Sequence, residues 1–136
     1  DLGQDRTDLV RQCLDVGHEH LVGELTGGIA AWTDSGRPVS TIPLVDPTGM
    51  TGQVIDVRQA NEYASGHVPG ALNIELGAVE GAHLTPGPVS VMCGHGERAM
   101  SAASILTAGG QDHVVVLDGG PDTWSDATGN PLQTSP

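Results

Sequence analysis

The residues of this chain best suited to chemistry lie between Val89 and Ala99, in the order Val-Ser-Val-Met-Cys-Gly-His-Gly-Glu-Arg-Ala. Val89, Val91 and Met92 make a short apolar run that predicts a buried strand. Gly94 and Gly96 supply freedom for a tight loop, and Ala99 to Leu106 is built of good helix formers. Cys93 therefore falls at the end of a strand and just before a helix. Free N–H groups of such a loop and of the first helical turn point at the sulfur, favour a thiolate over a thiol, and can hold an anion bound to it. The alternative is a buried, inert cysteine at a strand end. Two glycines and an arginine at loop spacing favour the nucleophile.

Arg98 is five positions after Cys93, so the spacing is Cys-X4-Arg. This is one residue shorter than the Cys-X5-Arg loop of cysteine phosphatases. The smaller ring of amides suits one extra sulfur atom on the cysteine better than a tetrahedral phosphate. Glu97 is a carboxylate within this loop and would oppose an ionised sulfur if it pointed inward. An acidic group is favoured near a helix N-terminus, so it is expected to point outward.

Upstream, Val54 to Val57 reads as a short buried strand, Asn61 to Ser65 as one helical turn, and Gly66 to Gly70 as a turn leading to another strand. Asp56, Arg58 and Glu62 stand at the strand end and in the turn. A further apolar run, Val114 to Leu117, leads to Gly119, Gly120 and Trp124. Taken in order with the cysteine loop, these segments resemble the rhodanese (sulfurtransferase) family over about residues 41–133, an ordered set far more specific than the loop alone.

The resemblance implies an α/β fold of three layers, with a mostly parallel five-stranded sheet flanked by helices and Cys93 at the carboxyl end of a central strand. Open α/β sheets bind ligands at that edge. It also implies a sulfurtransferase in which Cys93 takes a sulfane sulfur from a donor, thiosulfate or a persulfide, and holds it as a persulfide until a thiol or other nucleophile removes it. Gly94, His95, Gly96, Glu97 and Arg98, with Ala99 at the helix start, match the positions that hold the outer sulfur. Arg98 would also add positive charge near the thiolate, and His95 could assist the donor or acceptor. Asp56, Arg58 and Glu62 match the family's Asp-x-Arg…Glu signature and read as an ion-pair scaffold behind the loop. No cofactor is implied.

An internal repeat is also present. Residues 20–39 line up with 113–132, allowing a one-residue gap in each segment: His20 with His113, Gly27 and Gly28 with Gly119 and Gly120, Trp32 with Trp124, Pro38 with Pro131. Carried backwards, the register pairs Thr7 to Leu14 with the helix after the cysteine loop, Cys13 with Leu106 and Asp5 with Arg98, and places the first repeat's nucleophile position just before Asp1. Residues 1–39 thus read as the closing helix, strand and helix of a preceding repeat, and 40–136 as a complete domain. Cys13 is expected on the buried face of a helix, with no chemistry. A fragment of this size cannot bury a core alone and should dock on the intact domain or on sequence outside this chain. Tandem repeats of this family following a metallo-β-lactamase-fold domain have this appearance, so an upstream domain of the same polypeptide is an expected partner. An accessory, non-catalytic role beside such an enzyme is the rival to catalysis.

Composition sets further bounds. The 136 residues carry a net charge of −12, with five arginines and no lysine, which argues against nucleic acid or anionic membrane as partners. A negative field slows the encounter with small anions, which favours persulfide donors over thiosulfate. Two cysteines at unrelated positions suggest neither a disulfide framework nor a zinc site, and a reduced, cytoplasmic setting fits. The six histidines, at 18, 20, 67, 83, 95 and 113, show no helical metal-binding pair, and no metal is expected. No apolar run approaches the length of a membrane span. Trp32 and Trp124 read as packing anchors, residues 40–50 as linker and domain entry, and 81–88 as a surface connection.

Overall fold

The structure, a computed structural model, describes residues 5–15 and 20–135. The chain divides into two compact units, Asp1–Ser40 and Thr41–Pro136. Asp1 and His18 lie outside the described residues.

The second unit is a parallel sheet with helices against it. Its strands are β1 (Leu44–Val45), β2 (Gln53–Asp56), β3 (Leu72–Asn73), β4 (Val89–Met92) and β5 (Val114–Leu117), in the order β1-β5-β4-β2-β3. Every pairing is parallel, with Ile55 beside Val91 and Val91 beside Val116 in the middle. The helices of this unit are α3 (Ala60–Ser65), α4 (Glu97–Ala108) and α5 (Pro121–Thr128), and 3-10 turns cover Pro47–Gly49 and Leu76–Gly81.

β4 is buried along its whole length, and its one polar side chain, Ser90, accepts from the Thr51 N–H and donates to the Thr51 carbonyl. Alternation along the strands divides the core into two clusters, one per face of the sheet. Ile55, Val89, Val91 and Val116 pack with Ala99, Ala102, Ala103 and Leu106 of α4. Met92 and Leu117 pack on the other face with Val68, Ala71, Tyr63 and Trp124. The small alanines on α4 let that helix lie close to the sheet, and its position fixes where the loop before it can run.

The expectation for residues 40–50 needs adjustment. The supposed linker contains β1, an edge strand whose identity rests on pairing Leu44 with Val116 and Val45 with Leu117. Trp124 lies inside α5 and packs against the Met92 and Leu117 cluster, as a packing anchor would, and Trp32 lies inside a helix of its own.

The first unit contains α1 (Arg6–Asp15) and α2 (Gly28–Asp34). The strand expected over 21–24, where the repeat register meets β5, does not form: these residues are exposed and carry no ladder. A strand needs a neighbour to satisfy its backbone, and none is supplied among the described residues. Cys13 is half-buried instead of buried, in a small cavity with Leu9, Val10 and Leu21. On α1, Leu9 and Val10 remain 45% and 44% exposed.

Candidate active site

β2 and β4 end side by side, with Asp56 opposite Met92, and the chain then turns outward at both. Cys93 is therefore the first residue past the carboxyl edge of the central strand. Gly94, His95 and Gly96 make the turn into α4. Gly96 adopts φ 111°, open to glycine and costly for other residues, and as the helix N-cap it offers no side chain to the first-turn amides. Its own N–H donates to Cys93 Sγ at 3.1 Å. One amide of the loop is thus aimed at the sulfur. His95 and Glu97 are exposed, so Glu97 faces away from the cradle, while Gly94, Gly96 and Arg98 are half-buried and Ala99 is fully buried.

Cys93 itself is 1% exposed and belongs to the core cluster beneath α4. This differs from the open presentation expected of a nucleophile. A residue continuing a fully buried strand, covered by a helix that starts four residues later, is drawn into the same packing. Two wide grooves on this unit, one of about 610 Å³ between Val79–Leu84 and the end of α4 and another beside Pro43, Thr51 and Val115, do not include Cys93.

Behind the loop stands a layer of ion pairs. Asp56 is fully buried and accepts from the backbone N–H of Arg58, from Arg58 Nε, and from Nη2 at 2.7 Å. The same Nη2 donates to the Gly66 carbonyl at 2.7 Å, so the turn after α3 is tied to the end of β2. Removing either charge would strand the other in the interior, at a cost of about 3–5 kcal/mol. Glu62 accepts from both terminal nitrogens of Arg98, at 2.8 and 2.9 Å, a two-pronged pair joining α3 to α4. The bond from Arg98 is the main cause that holds the Glu62 carboxyl down at about 2. Arg98 is in turn held well above its ordinary range, first by Glu62 and also by the nearby Cys93 sulfur.

The three scaffold residues expected from sequence are thus brought together under the loop, in two separate pairs. Arg98 is engaged by Glu62 and also lies close enough to the Cys93 sulfur for the two to act on each other, so its charge stands beside the sulfur as well. Sequence reading missed Asn73, whose amide donates to the carbonyls of Asp56 and Arg58 and clamps the turn after β2. It also missed the stacking of His67 on Tyr63 at 3.7 Å. Asn73 lies 17 and 15 residues from its partners, beyond any local spacing, whereas His67 follows Tyr63 by 4, a spacing that could have signalled the contact. The Gly-Gly pair after β5 approaches the loop closely: a Cβ on Gly120 would stand 2.6 Å from the Gly94 carbonyl oxygen. Among the described residues no group of three histidine, cysteine or acidic side chains could hold a metal ion, and no helix is long and apolar enough to cross a membrane.

A parallel five-stranded sheet with a cysteine loop at the end of its central strand is the architecture of one class of domain, and the comparisons agree. The rhodanese-like domain model matches residues 46–127, and the chain belongs to that family. Thiosulfate sulfurtransferase GlpE of Shewanella oneidensis is 36% identical over 78 residues, covering 55% of this chain and 77% of that protein. A rhodanese-related protein from Thermoplasma volcanium superposes with a TM-score of 0.54 at 26% identity, over 61% of this chain and 84% of that one. A rhodanese with anions from E. coli does so with a TM-score of 0.51 at 30% identity, over 61% and 98%.

Proposed function

We propose that this chain is a rhodanese-type sulfurtransferase working through a persulfide on Cys93. The observation that carries the reading is the Gly96 N–H on Cys93 Sγ at the carboxyl edge of the central strand, within a domain whose relatives include proteins named thiosulfate sulfurtransferase. In the first half-reaction the Cys93 thiolate attacks the sulfane sulfur of a donor, and the donor's remaining group leaves with the electron pair. The loop from Gly94 to Ala99 holds the added sulfur with its amides and with the start of α4. In the second half-reaction a thiol acceptor attacks that outer sulfur and Cys93 is released. Asp56, Arg58 and Glu62 do not touch the donor and hold the loop's supports in place.

Incubation with thiosulfate or a low-molecular-weight persulfide is expected to add one sulfur atom to the intact mass. Cys93→Ser removes the addition and Cys13→Ser keeps it. A wild type that gains no sulfur from either donor overturns the proposal.

The burial of Cys93 favours a second reading, a non-catalytic, accessory rhodanese-like module. Loading without turnover to a thiol acceptor would support it.

A further inference from the structure

The charge arrangement at the sheet's carboxyl edge speaks to the donor, on the basis of the sulfurtransferase reading above. Residues 41–135 contain two arginines, and each is in an ion pair, Arg58 with Asp56 and Arg98 with Glu62. Arg98 is the cation beside the cysteine loop: its Nη2 lies 3.7 Å from where a Gly94 Cβ would stand. Both of its terminal nitrogens are turned to Glu62, so its charge, which also acts on the Cys93 sulfur, is partly offset by a carboxylate at the place where a donor must sit. Glu75, Asp118 and Asp122 follow the carboxyl ends of β3 and β5 and are exposed, Glu75 accepting from the Ala60 N–H at the start of α3. One amide and the start of α4 can stabilise the single charge of a sulfur atom. A dianion would surrender its hydration to a site whose arginine is already engaged and whose rim is acidic.

We infer that Glu62 is a positioning residue that sets donor preference: by holding Arg98 it turns the site away from dianionic thiosulfate and toward organic persulfides, which carry at most one charge on the transferred group. With a persulfide R–S–SH the Cys93 thiolate attacks the terminal sulfur. A bond forms between Sγ and that sulfur, the S–S bond of the donor breaks, and RS⁻ leaves with the electron pair and takes up a proton from water. Cys93–S–SH remains. Sulfur passes at its own oxidation level, so no oxidant or reductant enters.

The experiment measures kcat and KM for thiosulfate and for cysteine persulfide with a thiol acceptor, on wild type, Glu62→Gln, and Glu62→Gln combined with Arg98→Gln. Wild type is expected to favour the persulfide in kcat/KM by about tenfold or more. Glu62→Gln releases Arg98 and raises the thiosulfate-to-persulfide ratio by about tenfold, through KM for thiosulfate. The double variant loses that gain, which loss of scaffold alone would not produce. Should Glu62→Gln not fold, the native protein still decides the matter. Raising the salt from about 0.02 to about 0.5 M screens the acidic rim and is expected to speed thiosulfate turnover severalfold. A ratio unchanged in a Glu62→Gln protein that still loads sulfur, or a thiosulfate rate that falls with salt, overturns the inference and leaves the sulfurtransferase reading standing. Failure of both donors to load Cys93 in the wild type overturns both.

Discussion

At the scale of single residues, the two ion pairs behind the loop differ in what water can do to them. Asp56 and Arg58 are buried, while the side chains of Glu62 and Arg98 are 35% and 38% exposed, so the second pair is partly screened and contributes about 1 kcal/mol. Its pH dependence follows from the depressed Glu62 carboxyl. Folding lowers that group from the ordinary 4.5 to about 2, so its contribution is complete above about pH 4.5 and is lost as the pH falls toward 2. Urea unfolding at a series of pH values is expected to show wild type more stable than Glu62→Gln by a constant margin at neutral pH, and a margin that closes between pH 4.5 and 2. A margin that widens toward acid would show that the pair is not what holds the carboxyl down.

Among the elements, the loop between β4 and α4 is confined from outside as well as by its own glycines. Gly120, just after β5, lies against the carbonyls of Gly94 and Cys93, and a Cβ there would stand 2.6 and 3.1 Å from their oxygens. Gly120→Ala must push the loop backbone, since carbonyl oxygens on a tight turn cannot yield as a flexible side chain would. Displacement of a reacting centre by a fraction of an ångström costs rate steeply, and about a tenfold or larger drop in sulfur loading of Cys93 is expected, with about 1–3 kcal/mol of stability. Gly77→Ala, whose Cβ would meet open space, serves as the comparison and should load as wild type does. Equal loading by the two variants would mean that the approach of Gly120 does not position the loop.

For the molecule as a whole, burial is distributed very unevenly. Every fully buried side chain among the described residues lies in the second unit, whereas α1 and α2 carry exposed Leu9, Val10, Leu14 and Ile29. Segments with little buried apolar surface open at low free-energy cost. Limited proteolysis under native conditions is expected to cut within residues 5–40 first and leave a resistant fragment beginning near Thr41, read by intact mass. Early cleavage within β2, β4 or β5 would contradict this distribution.

Much of this was legible along the chain because it is local. A valine-rich run, a cysteine, two glycines and an alanine-rich helix are contiguous, and their propensities agree with the geometry they adopt. β4 and α4 could therefore be read from residues 89–106 themselves, whereas the parallel fold came from the resemblance of the ordered segments to a known family. The edge strand β1 could not, since two residues become a strand through their partner on β5 and through nothing in their own pattern. The engagement of Arg98 by Glu62, thirty-six positions away, and the sinking of Cys93 into the core belong to the same kind. Charge pairing and burial are properties of space, and one-dimensional spacing carries them only where the chain has no room to choose.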